Sequence, residues 1–96
     1  MAYRVEIFSR ARKDIGAIEA LSGSEWFSDF EVAVLSLRVM PRRCSVVTNL
    51  SRTGREIRRL LVGKGHHIYW VYFSISGQLV KVLHVRHVMR KPLSRL

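Results

Sequence analysis

The hydrophobic and polar residues of this chain follow two different periods, and the period changes near residue 9. Over residues 3–8 apolar side chains alternate with charged ones, a pattern that predicts a half-buried strand. Apolar residues then recur every three or four positions, which lines one face of a helix. These residues are Ala11, Ile15, Ile18 and Leu21. Ser9 is predicted to be the N-cap of this helix, and Gly23 is placed to end it.

A second helical period begins after Ser24 and stops before Pro41, which cannot continue a helix. Its apolar positions are Phe27, Phe30, Val34 and Leu37. Beyond the proline, alternation over residues 44–48 predicts a short strand. Residues 57–62 are rich in strand-forming side chains and predict the next strand, which the glycines of Gly63-Lys64-Gly65 would end.

A hairpin is the clearest element of the pattern. Residues 68–76 and 79–88 both have the composition of strands, and Gly77-Gln78 lies between them. Glycine in the first position of a two-residue loop favours a type II′ turn. A turn at Ser76-Gly77 would slide the pairs by two residues, so every side chain would keep its face.

The predicted hairpin sorts the polar residues at its far end onto two faces. With either turn, Tyr69, His84 and Arg86 share one face. Trp70 and His87 share the other. We therefore expect the first three side chains to form a cluster.

The predicted order of elements is β-α-α-β-β-β-β, and it fits one domain spanning residues 1–96. Short connections between most of the strands indicate an antiparallel, twisted sheet. Two N-terminal helices would pack on one side of it. The predicted fold class is therefore α+β.

Charge narrows the class of partner. The chain has 17 Lys and Arg residues against 7 Asp and Glu residues, a formal net charge of +10. Such a field favours a polyanion or an acidic protein as the ligand. A single cysteine excludes an internal disulfide, and no Cys/His spacing suggests a zinc site, so we expect no metal and no cofactor. We find neither a signal peptide nor an apolar run long enough to cross a membrane, which leads us to expect a cytoplasmic protein.

Four segments in a fixed order link these elements to a known family. They are Y-R-V-E-I-F-S-R-A-R-K-D-I, L-R-V-M-P, I-R-R-L-L-V-G-K-G followed by Y-x-V-x-F-x-I, and V-L-H-V-R-H-V-M-R. Together they resemble the RelE/ParE superfamily of bacterial toxins over nearly the whole chain. The most specific part is the combination of R-R-L-L, the tyrosine-bearing hairpin and the arginine-histidine cluster at its end.

The resemblance implies a toxin of a type II toxin–antitoxin module. A cognate antitoxin would hold it inactive by wrapping a helix and a strand around its sheet. The RelE-like branch of the family cuts mRNA in the ribosomal A site, so its partners are the ribosome and mRNA. The ParE-like branch instead poisons DNA gyrase.

The family motif also implies roles for particular positions. Arg58 matches the arginine of the family's I-R-x-L strand, and Tyr69 matches its hairpin aromatic. Arg86, His87 and Arg90 match its C-terminal basic cluster. After the tyrosine the family commonly has an arginine that helps to hold the scissile phosphate.

This chain has Trp70 at that position, and an indole offers only one N–H donor and no charge. Three functions therefore stay open. They are a metal-independent, ribosome-dependent mRNA endonuclease, a non-enzymatic gyrase inhibitor and a catalytically decayed basic binding module. The first is favoured, because the basic cluster from Arg86 to Arg90 offers the groups that cleavage needs.

Cleavage of RNA by its own 2′-hydroxyl defines the candidate chemistry. A base must take the 2′ proton, cations must stabilise the phosphorane, and an acid must protonate the departing 5′ oxygen. Histidine suits proton transfer, and the guanidinium of arginine suits the phosphate. The candidate catalytic residues are Tyr69, His84, Arg86 and His87; the candidate phosphate- or RNA-binding residues are Arg58, Arg59, Lys64 and Arg90. For His84, within an apolar strand, a purely structural role is the competing interpretation.

Overall fold

The computed structural model of this chain describes residues 2–47 and 55–90. Its elements are strand β1 (Arg4–Ile7), helix α1 (Ser9–Ser36), a 3-10 helix (Pro41–Arg43), and strands β2 (Val46–Val47), β3 (Ile57–Lys64), β4 (His67–Ser76) and β5 (Leu79–His87). The strands form one sheet in the order β1-β5-β4-β3-β2. Helix α1 packs on one face of this sheet, so the predicted α+β class is confirmed. Among the helices in the described ranges, none has the length and apolar character that a membrane span requires.

The sheet is mixed, so the prediction of an antiparallel sheet is wrong. β1 runs parallel to β5, with Val5 opposite Val80 and Ile7 opposite Val82, whereas the other neighbouring strands are antiparallel. The reason is that β1 pairs with the last strand rather than with a neighbour along the chain. Helix α1 carries the chain away from β1, and β2 joins the opposite edge of the sheet. The hydrophobic period of a strand indicates which of its faces is buried, but it does not indicate which strand pairs with it.

The two predicted helices form one helical element with an interruption. Gly23 has φ 81° and ψ −174° inside Ser9–Ser36, and helix resumes directly after it. Glycine adopts this backbone conformation without a Cβ clash. Gly23 therefore interrupts the helix, but no loop follows it. The N-terminus also differs from the prediction. Phe8 is the N-cap, no side chain caps the helix, and Ser9 is its first residue.

The predicted strand at residues 44–48 is shorter in the structure. Only Val46–Val47 pairs with β3, because Cys44 caps the 3-10 helix that begins at Pro41. Residue 48 lies outside the described part of the chain. Cys44 is buried in the core, as expected of a small apolar side chain.

The main core lies between α1 and one face of the sheet. Its buried members are Ala11, Ile15, Ile18, Trp26, Phe30, Leu37, Cys44, Val62, Tyr69, Val71, Phe73, Val80, Val82 and Val85. Leu21, predicted to share the buried face of the helix, is 82% exposed. The opposite, helix-free face has a smaller cluster built on Ile57, Tyr72 and Leu83. Both faces of the sheet therefore bury apolar side chains.

The β4–β5 hairpin has the predicted turn but not the predicted register along its whole length. Ser76 is opposite Leu79, so the two-residue loop at Gly77-Gln78 is confirmed, and Gly77 has the positive φ that such turns require. Farther from the turn the register shifts. Phe73 is opposite Val82, but Tyr72 is opposite His84. Leu83 is thus the extra residue of a β-bulge, which moves the following side chains of β5 to the opposite face.

Candidate functional site

Half of the predicted site residues line one cavity beside the C-terminal end of β5. They are Tyr69, Arg86, His87 and Arg90, and the cavity has a volume of about 370 Å³. Its other wall is the first half of α1, including Asp14 and Leu21. The space exists because β1 pairs only with residues 79–82 of β5. The rest of that strand faces the helix across an open edge.

The bulge separates side chains that were expected to share a face. Tyr69 is opposite His87, and their rings meet edge to face with centroids 4.9 Å apart on the helix side of the sheet. His84 is opposite Tyr72 and Arg86 is opposite Trp70. The prediction that Tyr69, His84 and Arg86 share a face is therefore wrong, as is the pairing of faces for Trp70 and His87. The extra residue in β5 is the physical reason.

His84 forms a buried pair with a carboxylate of helix α1. Its Nδ1 is hydrogen-bonded to Asp14 Oδ2, and the same oxygen accepts a hydrogen bond from the backbone N–H of Val85 at 3.0 Å. The carboxylate thus satisfies an N–H on the stretch of β5 that β1 leaves uncovered. No pattern in the sequence indicates Asp14, because its contact with His84 joins residues 70 positions apart.

The surroundings of His84 favour its neutral ring. Burial lowers the pKa of His84 below its ordinary value; the hydrogen bond and charge of Asp14 oppose this shift, and the charges of Arg10 and Arg86 reinforce it. A neutral ring that donates from Nδ1 to Asp14 carries its lone pair on Nε2. That atom is buried and has no hydrogen-bond partner within residues 2–47 and 55–90. This is the tautomer that a general base requires.

His87 is fully hydrogen-bonded. The backbone N–H of Met89 donates to Nδ1 at 3.0 Å, so the ring proton lies on Nε2 and is donated to the carbonyl oxygen of His66 at 2.8 Å. These bonds tie the end of β5 to the turn between β3 and β4. Proton transfer by His87 would first require breaking one of them.

The predicted phosphate-binding residues of β3 differ in how their charges are used. The guanidinium of Arg58 donates to the carbonyl oxygens of Arg42 and Cys44 at 3.0 and 2.7 Å, and it pairs with Glu56 at 3.1 Å. It therefore anchors the 3-10 helix to β3. Lys64 forms an exposed ion pair with Glu25, which contributes little to stability.

Arg59 lies on the helix-free face. Its Cζ is 3.8 Å from the centroid of the Trp70 ring, which is a cation–π contact. The sequence placed both residues in strands but gave no sign that they touch.

Two further observations concern the cysteine thiol and possible metal ligands. Burial raises the pKa of the Cys44 thiol, against the opposing charges of Arg43 and Arg58, so this thiol is not activated as a nucleophile. In the part of the chain that the structure describes, no three His, Cys, Asp or Glu side chains are grouped to hold a metal ion.

We expect His84 to make the domain less stable as the pH falls. Because its pKa is lowered in the folded state, the unfolded chain takes up the proton first below about pH 6.5. Stability is then lost progressively until the pH falls through the folded-state pKa. His84→Asn keeps an amide donor near the position of Nδ1 but cannot titrate. Urea unfolding between about pH 7.5 and 5 should therefore show a weaker pH dependence for this variant than for the unmodified chain.

The matched control for this measurement is His66→Asn, since the side chain of His66 is exposed. It should leave the pH dependence of stability unchanged. A profile for His84→Asn that parallels the unmodified chain would exclude His84 as the titrating group.

Comparison with known proteins finds a match among solved structures. No family model matches this chain, and neither does any curated protein. Among solved structures it is similar to a chain of the crystal structure of the archaeal RelE–RelB complex from Pyrococcus horikoshii OT3. The TM-score is 0.52 and the identity 24%, over 95% of this chain and 100% of that one. At this identity the likeness establishes a shared fold, which agrees with the fold implied by the motifs.

Proposed function

We propose that this chain is the toxin of a type II toxin–antitoxin module and acts as a metal-independent, ribosome-dependent mRNA endonuclease. The observation that carries the proposal is the convergence of Tyr69, Arg86, His87 and Arg90 on one cavity at the open end of β5. The shared fold with a chain of a RelE–RelB complex supports the same class of protein. That complex also supports a cognate antitoxin as the neutralising partner.

The side chains divide the proposed chemistry as follows. Arg86 and Arg90 bind the scissile phosphate and stabilise the charge of the phosphorane. His84 is the base that takes the 2′ proton through Nε2, once RNA binding opens the side chains around that atom. Asp14 lines the cavity and holds the imidazole in the required tautomer. Tyr69, which also lines the cavity, is the acid that protonates the departing 5′ oxygen in this scheme.

A ParE-like gyrase inhibitor is the second candidate, and one observation favours it. Both ring nitrogens of His87 are engaged in hydrogen bonds to the backbone, so this histidine serves the fold rather than proton transfer. A cavity lined by arginines can then be a binding surface without chemistry. The high positive charge suits a polyanion or an acidic protein surface, so it does not separate the two functions.

Induction of the chain alone in a bacterium separates these functions. We expect growth arrest with new mRNA 5′ ends inside translated codons, mapped by sequencing of RNA ends. DNA breaks with an SOS response and intact mRNA would instead identify the gyrase inhibitor. Normal growth with neither signal would leave a basic binding module. Co-expression of the neighbouring reading frame, if it encodes a short acidic protein, should restore growth.

A further inference from the structure

On the helix-free face of the sheet, an indole contacts one arginine and is opposite a second arginine in the strand register. Leu61 of β3 is opposite Trp70 of β4, and Arg59 is opposite Tyr72, so Arg59 reaches Trp70 along the diagonal. The guanidinium carbon is 3.8 Å from the ring centroid. On the other flank, Arg86 of β5 is directly opposite Trp70. Three neighbouring strands thus place these residues side by side in the sheet.

The contact leaves the hydrogen-bonding edge of Arg59 available. A guanidinium stacked on a ring uses its face, whereas its N–H donors point outward in the plane. Within the described ranges, the Arg59 side chain makes no hydrogen bond or ion pair. Arg58, the preceding residue, has its donors bound to Arg42, Cys44 and Glu56. Of the two arginines, Arg59 is the one that can accept a ligand without losing an internal contact.

Arg86 has a complementary property. Its Nε is buried without a hydrogen-bond partner in residues 2–47 and 55–90. A buried, unpaired donor of a charged group is costly, and an anionic oxygen would satisfy it. Both arginines that flank Trp70 therefore have donors to offer.

We propose that Trp70 is a positioning residue that holds Arg59 as a binding group for the phosphodiester backbone of single-stranded RNA. Arg59 of β3 supplies the positive charge of the site, and the indole of Trp70 on β4 fixes the position of its guanidinium. A ring contact of this kind restricts the flexible arginine side chain before the ligand arrives, which lowers the entropic cost of binding. RNA as the ligand rests on the proposed function; the Arg59–Trp70 contact does not.

The test is the affinity of the purified full chain for a short single-stranded RNA. Its 2′-hydroxyls are methylated, so that it cannot be cleaved. We expect Arg59→Gln to weaken binding about tenfold at low salt, and to make log K less steep in log salt by about 0.7, the value of one phosphate contact on a single strand. Trp70→Leu should reproduce most of both effects. Trp70→Tyr keeps an aromatic face and should restore most of the affinity.

The double variant decides whether the two residues act as one unit. If Trp70 acts through Arg59, the double variant Arg59→Gln with Trp70→Leu should bind about as weakly as Arg59→Gln alone. Losses that add would overturn the proposal, because Trp70 would then contact RNA by itself. An unchanged salt slope for Trp70→Leu would also overturn it, since a merely structural tryptophan changes stability and not the number of phosphate contacts.

The control for charge is Arg38→Gln. Arg38 is exposed, and its carbonyl oxygen accepts a hydrogen bond from Tyr3 N–H near the β4–β5 turn, at the opposite end of the sheet. Arg38→Gln removes the same charge as Arg59→Gln and should change the affinity for RNA less than about twofold. If Trp70→Leu does not fold, NMR of the unmodified chain replaces it. The Arg59 Nε–H resonance should then shift on addition of the RNA, and a resonance that does not move would overturn the proposal.

These measurements test the RNA-binding site separately from the proposed cleavage of mRNA. Coupled RNA binding by Arg59 and Trp70, together with intact mRNA in cells, would remove the endonuclease and keep the RNA site. Cleavage of mRNA with additive losses would keep the endonuclease and remove the role of Trp70. An unmodified chain that does not bind the RNA would overturn the site.

Discussion

Arg86→Ala is expected to reduce the rate of mRNA cleavage at least about 100-fold and to abolish growth arrest, while the domain remains folded. Arg86 lines the cavity at the end of β5, and its buried Nε has no hydrogen-bond partner in the described part of the chain. A phosphorane oxygen would accept from this donor. Removing one such preorganised donor typically costs about 100- to 1,000-fold in rate.

The fold should tolerate this substitution because the side chain is only half-buried and removing it relieves an unpaired donor. Cleavage is measured by primer extension on ribosome-bound mRNA, and folding by circular dichroism. Arg38→Ala is the matched control, since it removes one exposed positive charge at the far end of the sheet. Arg86→Ala that is folded and fully toxic would show that the site is wrongly placed.

Gly63→Ala is expected to destabilise the domain by about 3 kcal/mol or more. Gly63 has φ 106°, and a Cβ there would lie 1.8 Å from the carbonyl oxygen of His67 and 3.2 Å from Cδ1 of Trp26. The oxygen belongs to the backbone of the adjacent strand, so relief requires β3 and β4 to move apart. The strain of a positive φ adds to the clash.

Thermal unfolding provides the measurement, and the midpoint should fall by more than about 12 °C for a domain of this size. Gly16→Ala is the control. It lies within α1, where a Cβ meets no atom within 4 Å. Alanine favours helix over glycine by up to about 1 kcal/mol, so this variant should be equally stable or more stable. Equal destabilisation by both substitutions would contradict the role assigned to the backbone of Gly63.

Local features of the fold were predictable, because neighbouring residues determine them. The turn at Gly77-Gln78 follows from glycine chemistry and from the two strand patterns that flank it. The parallel pairing of β1 with β5 was not predictable, since no local pattern marks a partner at the other end of the chain. The helix break at Gly23 lay between these cases. The glycine and the helical period after it were both identified, but whether a loop separates the two helices depends on packing against the sheet.

The β-bulge left a trace in the sequence. Val80 and Val82 alternate with polar neighbours, but then Leu83 is apolar as well and the next apolar residue is Val85. Two adjacent apolar residues followed by resumed alternation are what a one-residue insertion produces. The trace was ambiguous because both faces of this sheet bury apolar side chains, so an apolar residue in β5 fits either face.

The site was predictable where its residues are close in sequence. Arg86, His87 and Arg90 lie on one short segment, and they do line one cavity. Asp14 was missed because helix α1 brings it to His84 from the other end of the chain. The contact between Arg59 and Trp70 depends on the register of β3 against β4. Such pairings are tertiary properties, and a single sequence does not display them.

The extra residue at Leu83 also bears on how related chains can diverge. Deleting it would restore regular pairing along the hairpin, with His84 still opposite Tyr72 and His87 still opposite Tyr69. Residues 84–87 would keep the faces that they have now, although the strand would be one residue shorter. Two chains that differ in length by one residue here can therefore present the same side chains to a ligand. Alignments of such chains should place gaps at this position before equating their functional residues.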